Sequence, residues 1–209
     1  AEAFLAGVEV SVEKTKEALR TGTLAGKITP IMTGSALKGL GIEPLMNAVI
    51  DYLPSPLDCP PTEGINPKTD EKMIRYPAET EPMAALAFKT VSESTGDLTF
   101  VRVYSGVMEA GKQYTNVRTG NKERVGRIYR MHADRRESVD TAGPGSIIAV
   151  IGLKEAGTGD TLTTIGETIQ LPGAAFPAGV ISVAVAPPKA ADRDRFGQAL
   201  RRITREDPT

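Results

Sequence analysis

Between Arg118 and Arg136 the chain carries seven basic residues, Arg118, Lys122, Arg124, Arg127, Arg130, Arg135 and Arg136, against the two acids Glu123 and Asp134. Cations at that density suit the backbone phosphates of a nucleic acid, which position a protein without reading sequence. A solvated edge strand, protected from self-pairing by its charges, is an equally weighted reading of the same residues. The arginines fall on both phases of a strand's alternation, so a bulge near Gly126 is expected to turn them to one side. A second candidate is the loop Gly34-Ser35-Ala36-Leu37-Lys38, which follows a strand-like segment and precedes a helical one. Open α/β sheets bind ligands at that position. Small side chains there let backbone amides come close to a planar base and donate to a guanine carbonyl oxygen, although three such common residues by themselves spell only a turn.

Other residues point away from catalysis. His132 is the sole histidine and Cys59 the sole cysteine. A multi-histidine or multi-cysteine metal site is therefore excluded, as is an internal disulfide. We expect His132 to serve packing or hydrogen bonding at a corner, and a hydrolase pairing it with Asp134 or Asp160 is a minor alternative. Asn121-Lys122-Glu123-Arg124 begins like a base-reading Asn-Lys-x-Asp motif, but Arg124 stands where the carboxylate is needed. Asp140-Thr141-Ala142-Gly143 runs into a Gly-Pro-Gly turn and is read as a turn. Nowhere does the sequence contain Gly-x-x-x-x-Gly-Lys-[Ser/Thr], the ring of amides and lysine that cradles nucleotide phosphates and magnesium.

The elements that must position these residues are legible from pattern. Ser11 to Leu24 reads as a helix capped by Ser11 and stopped by Gly22, and Lys27 to Thr33 as a strand. Apolar residues from Ile42 to Leu53 recur with helical spacing. Residues 1–53 therefore read as the end of an α/β domain. Residues 54–82 read as a proline-stiffened linker and irregular loop. From 83 to 173 the period becomes two, with strands expected at Ala84–Thr90, Leu98–Ser105, Gln113–Val117, Lys122–Met131, Ser146–Ile151 and Thr168–Leu171, separated by turns such as Ser94-Thr95-Gly96-Asp97. About six strands with no crossover helix predict an antiparallel barrel that closes on itself. In residues 174–209 a strand over Val180–Val185, the pair Pro187-Pro188 and a helix lined by Phe196, Ala199, Leu200 and Ile203 read as the beginning of another α/β unit. The expected class is mainly β with flanking α/β pieces.

Composition sets the bounds. Hydrophobic residues make up 40% and charged residues 24% of 209, which suffices for a core, and a net charge of −1 leaves any polyanion contact to a local patch. No apolar run is long enough to span a bilayer, and a cytoplasmic, monomeric protein is expected. The first and last residues read as internal to a longer chain.

The stretch Ser35–Pro61 (SALKGLGIEPLMNAVIDYLPSPLDCPP) resembles the guanine-specificity loop, last GTPase helix and linker of elongation factor G. Ala85–Lys89 (ALAFK), Leu98–Gly106 (LTFVRVYSG), Met131-His132-Ala133 and Gly152-Leu153-Lys154 through Gly159-Asp160-Thr161-Leu162 are similar to that family's second domain. Ile181–Thr209 is similar to the opening of its third. The resemblance implies a translation-factor-type β-barrel and a parent protein that hydrolyses GTP with Mg2+ to move tRNA and mRNA through the ribosome. A recycling-specialised or otherwise diverged paralogue is the variant within the family. It further implies that Ser35, Ala36 and Leu37 rim a guanine pocket in the parent, and that the barrel leans on small-subunit rRNA and proteins, meeting the tRNA–mRNA complex only indirectly. This segment is expected to hold no GTP or Mg2+ and to be inactive alone. Pro188 and Ala190 depart from lysines common in the family, and the loop Val91 to Gly96 differs, so contacts there are not carried over. A free-standing β-barrel that binds an acidic protein is the competing class.

Overall fold

The computed structural model describes residues 5–7, 9–93, 96–173, 181–187 and 189–207. Ser94, Thr95, Val180 and Pro188 of the expectations above lie outside them. The chain forms two compact units, Ala1–Pro60 and Pro61–Thr209.

In the first unit, helix α1 (Val12–Leu24) begins where the Ser11 hydroxyl accepts from the Lys14 amide, and helix α2 (Ile42–Tyr52) begins at Gly41, whose φ is 79°. Long-range polar contacts join the helices. Lys16 meets Asp51 at 2.9 Å, and Arg20 reaches both the Asp51 carbonyl and the Asp58 carboxylate. The expected strand over Lys27–Thr33 is absent, and the segment is irregular. A strand needs a neighbour to receive its backbone bonds, and among the described residues of this unit there is none. Neither helix buries a residue fully.

The second unit is mainly β. Its first two strands, β1 (Thr62–Ile65) and β2 (Lys72–Arg75), form an antiparallel hairpin in the stretch read as linker and irregular loop. No proline falls within either arm, and Pro67 lies in the turn between them, so both arms keep their amide donors. Eight further strands make one antiparallel sheet: β3 (Ala84–Glu93), β4 (Gly96–Ser105), β6 (Gln113–Asn116), β7 (Lys122–Arg124), β8 (Arg127–His132), β9 (Arg135–Val139), β11 (Ile147–Ile151) and β12 (Thr161–Thr163). The short strands β5 (Met108–Glu109) and β10 (Thr141–Ala142) pair separately.

The order β7-β6-β12-β3-β4-β11-β8-β9 is that of a barrel opened at one place. It closes because β7 and β8 are one chain segment that changes partner. Val125 donates to the Lys112 carbonyl on the β6 side, and Gly126 donates to the Ile151 carbonyl on the β11 side. A Cβ at Gly126 would sit 2.7 Å from the Ile151 oxygen, so only glycine lets the strands approach there. Val101, Val103, Val125, Ile128, Val150 and Leu162, all fully buried or nearly so, fill the interior.

Two expectations in the barrel change. Thr168–Leu171 is no strand. Its alternation is real in that Ile169 and Leu171 are buried, but they cover the outside of the barrel and the backbone pairs only at Gln170 with Ile65. The sixth barrel strand is β12 instead, with all three residues buried. Its threonines face that covering segment, Thr161 accepting from the Leu171 amide and Thr163 donating to the Glu167 carbonyl, so the inside–outside contrast is hidden in the sequence. Residues 181–187 form no strand, and Ile181, Val183 and Val185 are exposed. Helix α3 (Arg193–Glu206) follows and packs on β3, where the Ser92 amide donates to the Glu206 carboxylate.

Candidate nucleic-acid interface

The partner change between β7 and β8 decides where the basic residues go. Val125 and Ile128 both point into the core, although they stand three residues apart. Inward side chains on a regular strand are two apart, so one extra residue has been inserted between them. Without it Arg127 would face the core. With it, Lys122, Arg124 and Arg127 are all exposed on the outer side of the barrel. None of the three has an acidic partner among the described residues, and nearby Tyr129 raises the already high pKa of the Arg127 guanidinium.

Beyond the barrel, β8 and β9 run on as a two-stranded ribbon turned at Ala133, whose φ is 55°. Its register pairs Arg130 with Glu137, Met131 with Arg136 and His132 with Arg135. Arg127 and Arg136 therefore share one ribbon face with Met131, while Arg130 and Arg135 share the other with His132. The expected turning of all arginines to one side does not occur, because the slip acts only once, at Gly126, and regular alternation resumes after it.

Two of the seven candidates are tied down. Arg118 clamps Asp160, its Nε and Nη2 donating to the two carboxylate oxygens at 2.6 and 2.9 Å. Asp160 also accepts from the Asn116 amide and the Gly157 backbone, both at 2.9 Å. Burial pushes the Asp160 carboxyl up, but Arg118, the Gly157 amide and Asn116 outweigh it and hold the pKa below the usual value. Arg136 is held by both oxygens of Glu93, at 2.6 and 2.8 Å. These acids lie 42 and 43 residues from their arginines, beyond any local sequence signal. Arg130 sits 4.0 Å from Glu137, exposed and weakly held. Lys122, Arg124 and Arg135 have no ion pair among the described residues.

His132 is exposed, 3.5 Å from Glu137, and faces neither Asp134 nor Asp160 in any ion pair. No group of three metal-ligating side chains is found among the described residues. Cys59 is exposed. No helix among the described residues is long and apolar enough to cross a membrane.

In the first unit, the loop at Ser35 is a closed turn: Ser35 and Leu40 exchange backbone bonds at 2.9 and 3.0 Å, and Lys38 and Gly39 donate back into the loop. A Cβ at Gly34 would lie 2.7 Å from the Leu40 oxygen. The amides of Ala36 and Leu37 stay out of this bonding, and Leu37 is 98% exposed at the tip. Two free neighbouring donors beside a recess of about 210 Å3 fit a planar acceptor such as a base edge. Lys38 is the only cation within the loop, and nothing there could wrap a triphosphate.

Residues 82–165 match the family model described as elongation factor G domain 2, and residues 176–209 the model described as elongation factor G, domain III. A crystal structure of a protein from Thermus thermophilus is similar over 99% of this chain, with a TM-score of 0.72 at 24% identity. The present chain spans 29% of that protein's chain. At that identity the likeness shows the fold alone, a strand-switched antiparallel barrel flanked by helical pieces. The two family models do more, since they match in their proper order and together take in more than half of the residues, so the chain belongs to the elongation factor G family.

Proposed function

We propose that this chain is the part of a ribosomal translocation factor that seats the factor on small-subunit RNA, while a nucleotide-hydrolysing part of the same parent protein supplies the energy for moving tRNA and mRNA. The observation that carries the reading is the slip at Val125–Gly126, which sets Lys122, Arg124 and Arg127 together on the outer surface with no acidic partner among the described residues. Arg130 and Arg135 carry positive charge on the opposite face of the ribbon. Arg118 and Arg136 are held by acids and take a structural part in it. The Ala36 and Leu37 amides would donate to the carbonyl oxygen of guanine in the parent, with Ser35 closing the loop behind them. GTP and Mg2+ belong to a phosphate cradle that this sequence does not contain, and the place of work is the cytoplasm.

The test is binding of the 209-residue chain to isolated small subunits over a range of salt. Each neutralised phosphate contributes about 0.7 to 0.9 to the slope of log affinity against log salt. Replacing Arg124, Arg127 and Arg130 by alanine is expected to abolish binding near physiological salt and to lower that slope by about two. No binding even at low salt, or binding that these substitutions leave unchanged, refutes the reading and favours a protein partner.

A further inference from the structure

We infer that the outer face of β3, β4, β11 and β8 is a second RNA contact, which takes unpaired bases by stacking where the strand-switch cations take backbone phosphates; it rests on the proposed RNA-seating role. The register carries the argument. Tyr129 on β8 stands opposite Ala149 on β11, Ala149 opposite Phe100 on β4, and Phe100 opposite Lys89 on β3. One transverse row thus holds two aromatic rings with the smallest of side chains between them, roughly 10 Å apart at ordinary strand spacing. The pairing of β3 with β4 slips between Ala87 and Lys89, making Phe88 an extra residue. A bulge of this kind re-aims a side chain. Here it leaves Phe88 and Lys89 both exposed, Phe88 by 40%, with its ring 6.3 Å from Phe100 and tilted by 51°.

Cations are interleaved with the rings. The Lys89 ammonium lies 5.9 Å from the centre of Phe100, and Arg102, the next outward residue on β4, lies over Tyr104 at 5.1 Å. Arg127 adjoins Tyr129. Neither Lys89 nor Arg102 has an acidic partner among the described residues. Opposite Arg102, Ile147 is 57% exposed. A plain solvated sheet face would carry polar residues there, and a core face would bury its rings. The exposed ring of Phe88 and the half-buried rings of Phe100 and Tyr129, set beside unpaired cations, match a strand that alternates flat bases with phosphates, since base stacking on aromatic side chains needs no particular sequence. The surface is continuous through Arg127 with the phosphate-contacting side, so a looped RNA could engage both.

The experiment uses the full chain and two fluorescein-labelled probes, a single-stranded RNA of about 12 nucleotides and an RNA duplex of about 12 base pairs, followed by anisotropy at low salt. Phe88→Leu removes an exposed ring without touching the core, and Phe100→Leu removes the ring while leaving a branched apolar side chain in its place. The single strand is expected to bind more tightly than the duplex, and each substitution to weaken the single strand about tenfold while leaving the duplex unchanged. If Phe100→Leu alters the melting curve, Phe88→Leu alone decides. Equal affinity for both probes, unmoved by Phe88→Leu, overturns the stacking face and leaves the phosphate reading intact. Ring-dependent binding of the single strand that survives loss of Arg124, Arg127 and Arg130 upholds the stacking face and overturns the phosphate reading. Failure to bind either probe, or preference for an oligoglutamate peptide over RNA, overturns both.

Discussion

Asp160 is the residue whose removal should most damage the barrel for its size. Its side chain is 5% exposed and receives four hydrogen bonds, two from Arg118 and one each from Asn116 and the Gly157 amide. Its backbone is tied to β3 as well, because the Ala87 amide donates to the Asp160 carbonyl at 2.8 Å. In Asp160→Ala the Arg118 guanidinium, 60% exposed, turns to water at little cost. The Asn116 amide is fully buried and cannot, and the Gly157 amide loses its acceptor. An orphaned buried donor costs about 1–3 kcal/mol, so the buried Asn116 amide, with a smaller part from the half-buried Gly157 amide, should lower stability by about 3 kcal/mol. For a unit of this size that is about 10 °C in Tm. Urea unfolding followed by tyrosine emission measures it directly, and a loss under about 0.5 kcal/mol would refute the argument that Asn116 and Gly157 depend on this carboxylate.

The same residue predicts a pH dependence. Its folded pKa lies below the ordinary carboxyl value, so the folded state favours the charged form. The stabilisation is therefore complete above the unfolded pKa of about 3.9 and is lost as pH falls through the folded value. The stability gap between the parent and Asp160→Ala should be level above pH about 5 and narrow on acidification. A gap that widened below pH about 4 would mean that the carboxylate is not what Arg118 and Asn116 hold.

Two further outcomes follow from the strand switch and the ribbon. Gly126→Ala places a methyl 2.7 Å from the Ile151 carbonyl oxygen, and with backbone on both sides it should cost about 2 kcal/mol and weaken binding to small subunits at a given temperature; a variant as stable as the parent speaks against closure at this point. Glu93→Gln releases Arg136, so the salt slope for RNA should steepen by about one phosphate equivalent, and the double change Glu93→Gln with Arg136→Gln should return it to the parent value; a steepening that persists in the double variant assigns the effect to lost negative charge alone.

What the sequence showed plainly was whatever obeyed a short period. Strands β3, β4, β6 and β11, the segment Lys122–Met131 that becomes β7 and β8, and helices α1, α2 and α3 announced themselves by alternation or helical spacing, as did the Ser11 cap. What it hid was set by residues far away. Thr161–Thr163 reads as polar because its threonines are satisfied by a segment that returns ten residues later to lie over them. Thr168–Leu171 shows alternation for the opposite reason, its apolar residues covering the barrel from outside. Arg135–Val139 lacks any apolar alternation, since only Val139 meets the core, yet it pairs fully with β8. For the basic cluster, the count and even the place of the irregularity could be read near Gly126, but which arginines are free depends on Asp160 and Glu93, and no local pattern points to either.

The glycine at 126 links these two halves of the molecule's logic. A barrel of about six strands must pass its closing strand from one neighbour to the other, and the segment Lys122–His132 does so by inserting one residue between two core positions. That insertion inverts the phase of everything after it until the ribbon turns. Were closure made without the slip, Arg127 would point into an apolar interior, where an unpaired charge costs several kcal/mol, and the chain could not carry a cation there at all. An arginine at 127 is compatible with the fold only because the closure is irregular, and the same irregularity brings it beside Lys122 and Arg124. The cationic surface is thus a product of how the barrel shuts, which is why a stability defect at Gly126 and a binding defect should appear together.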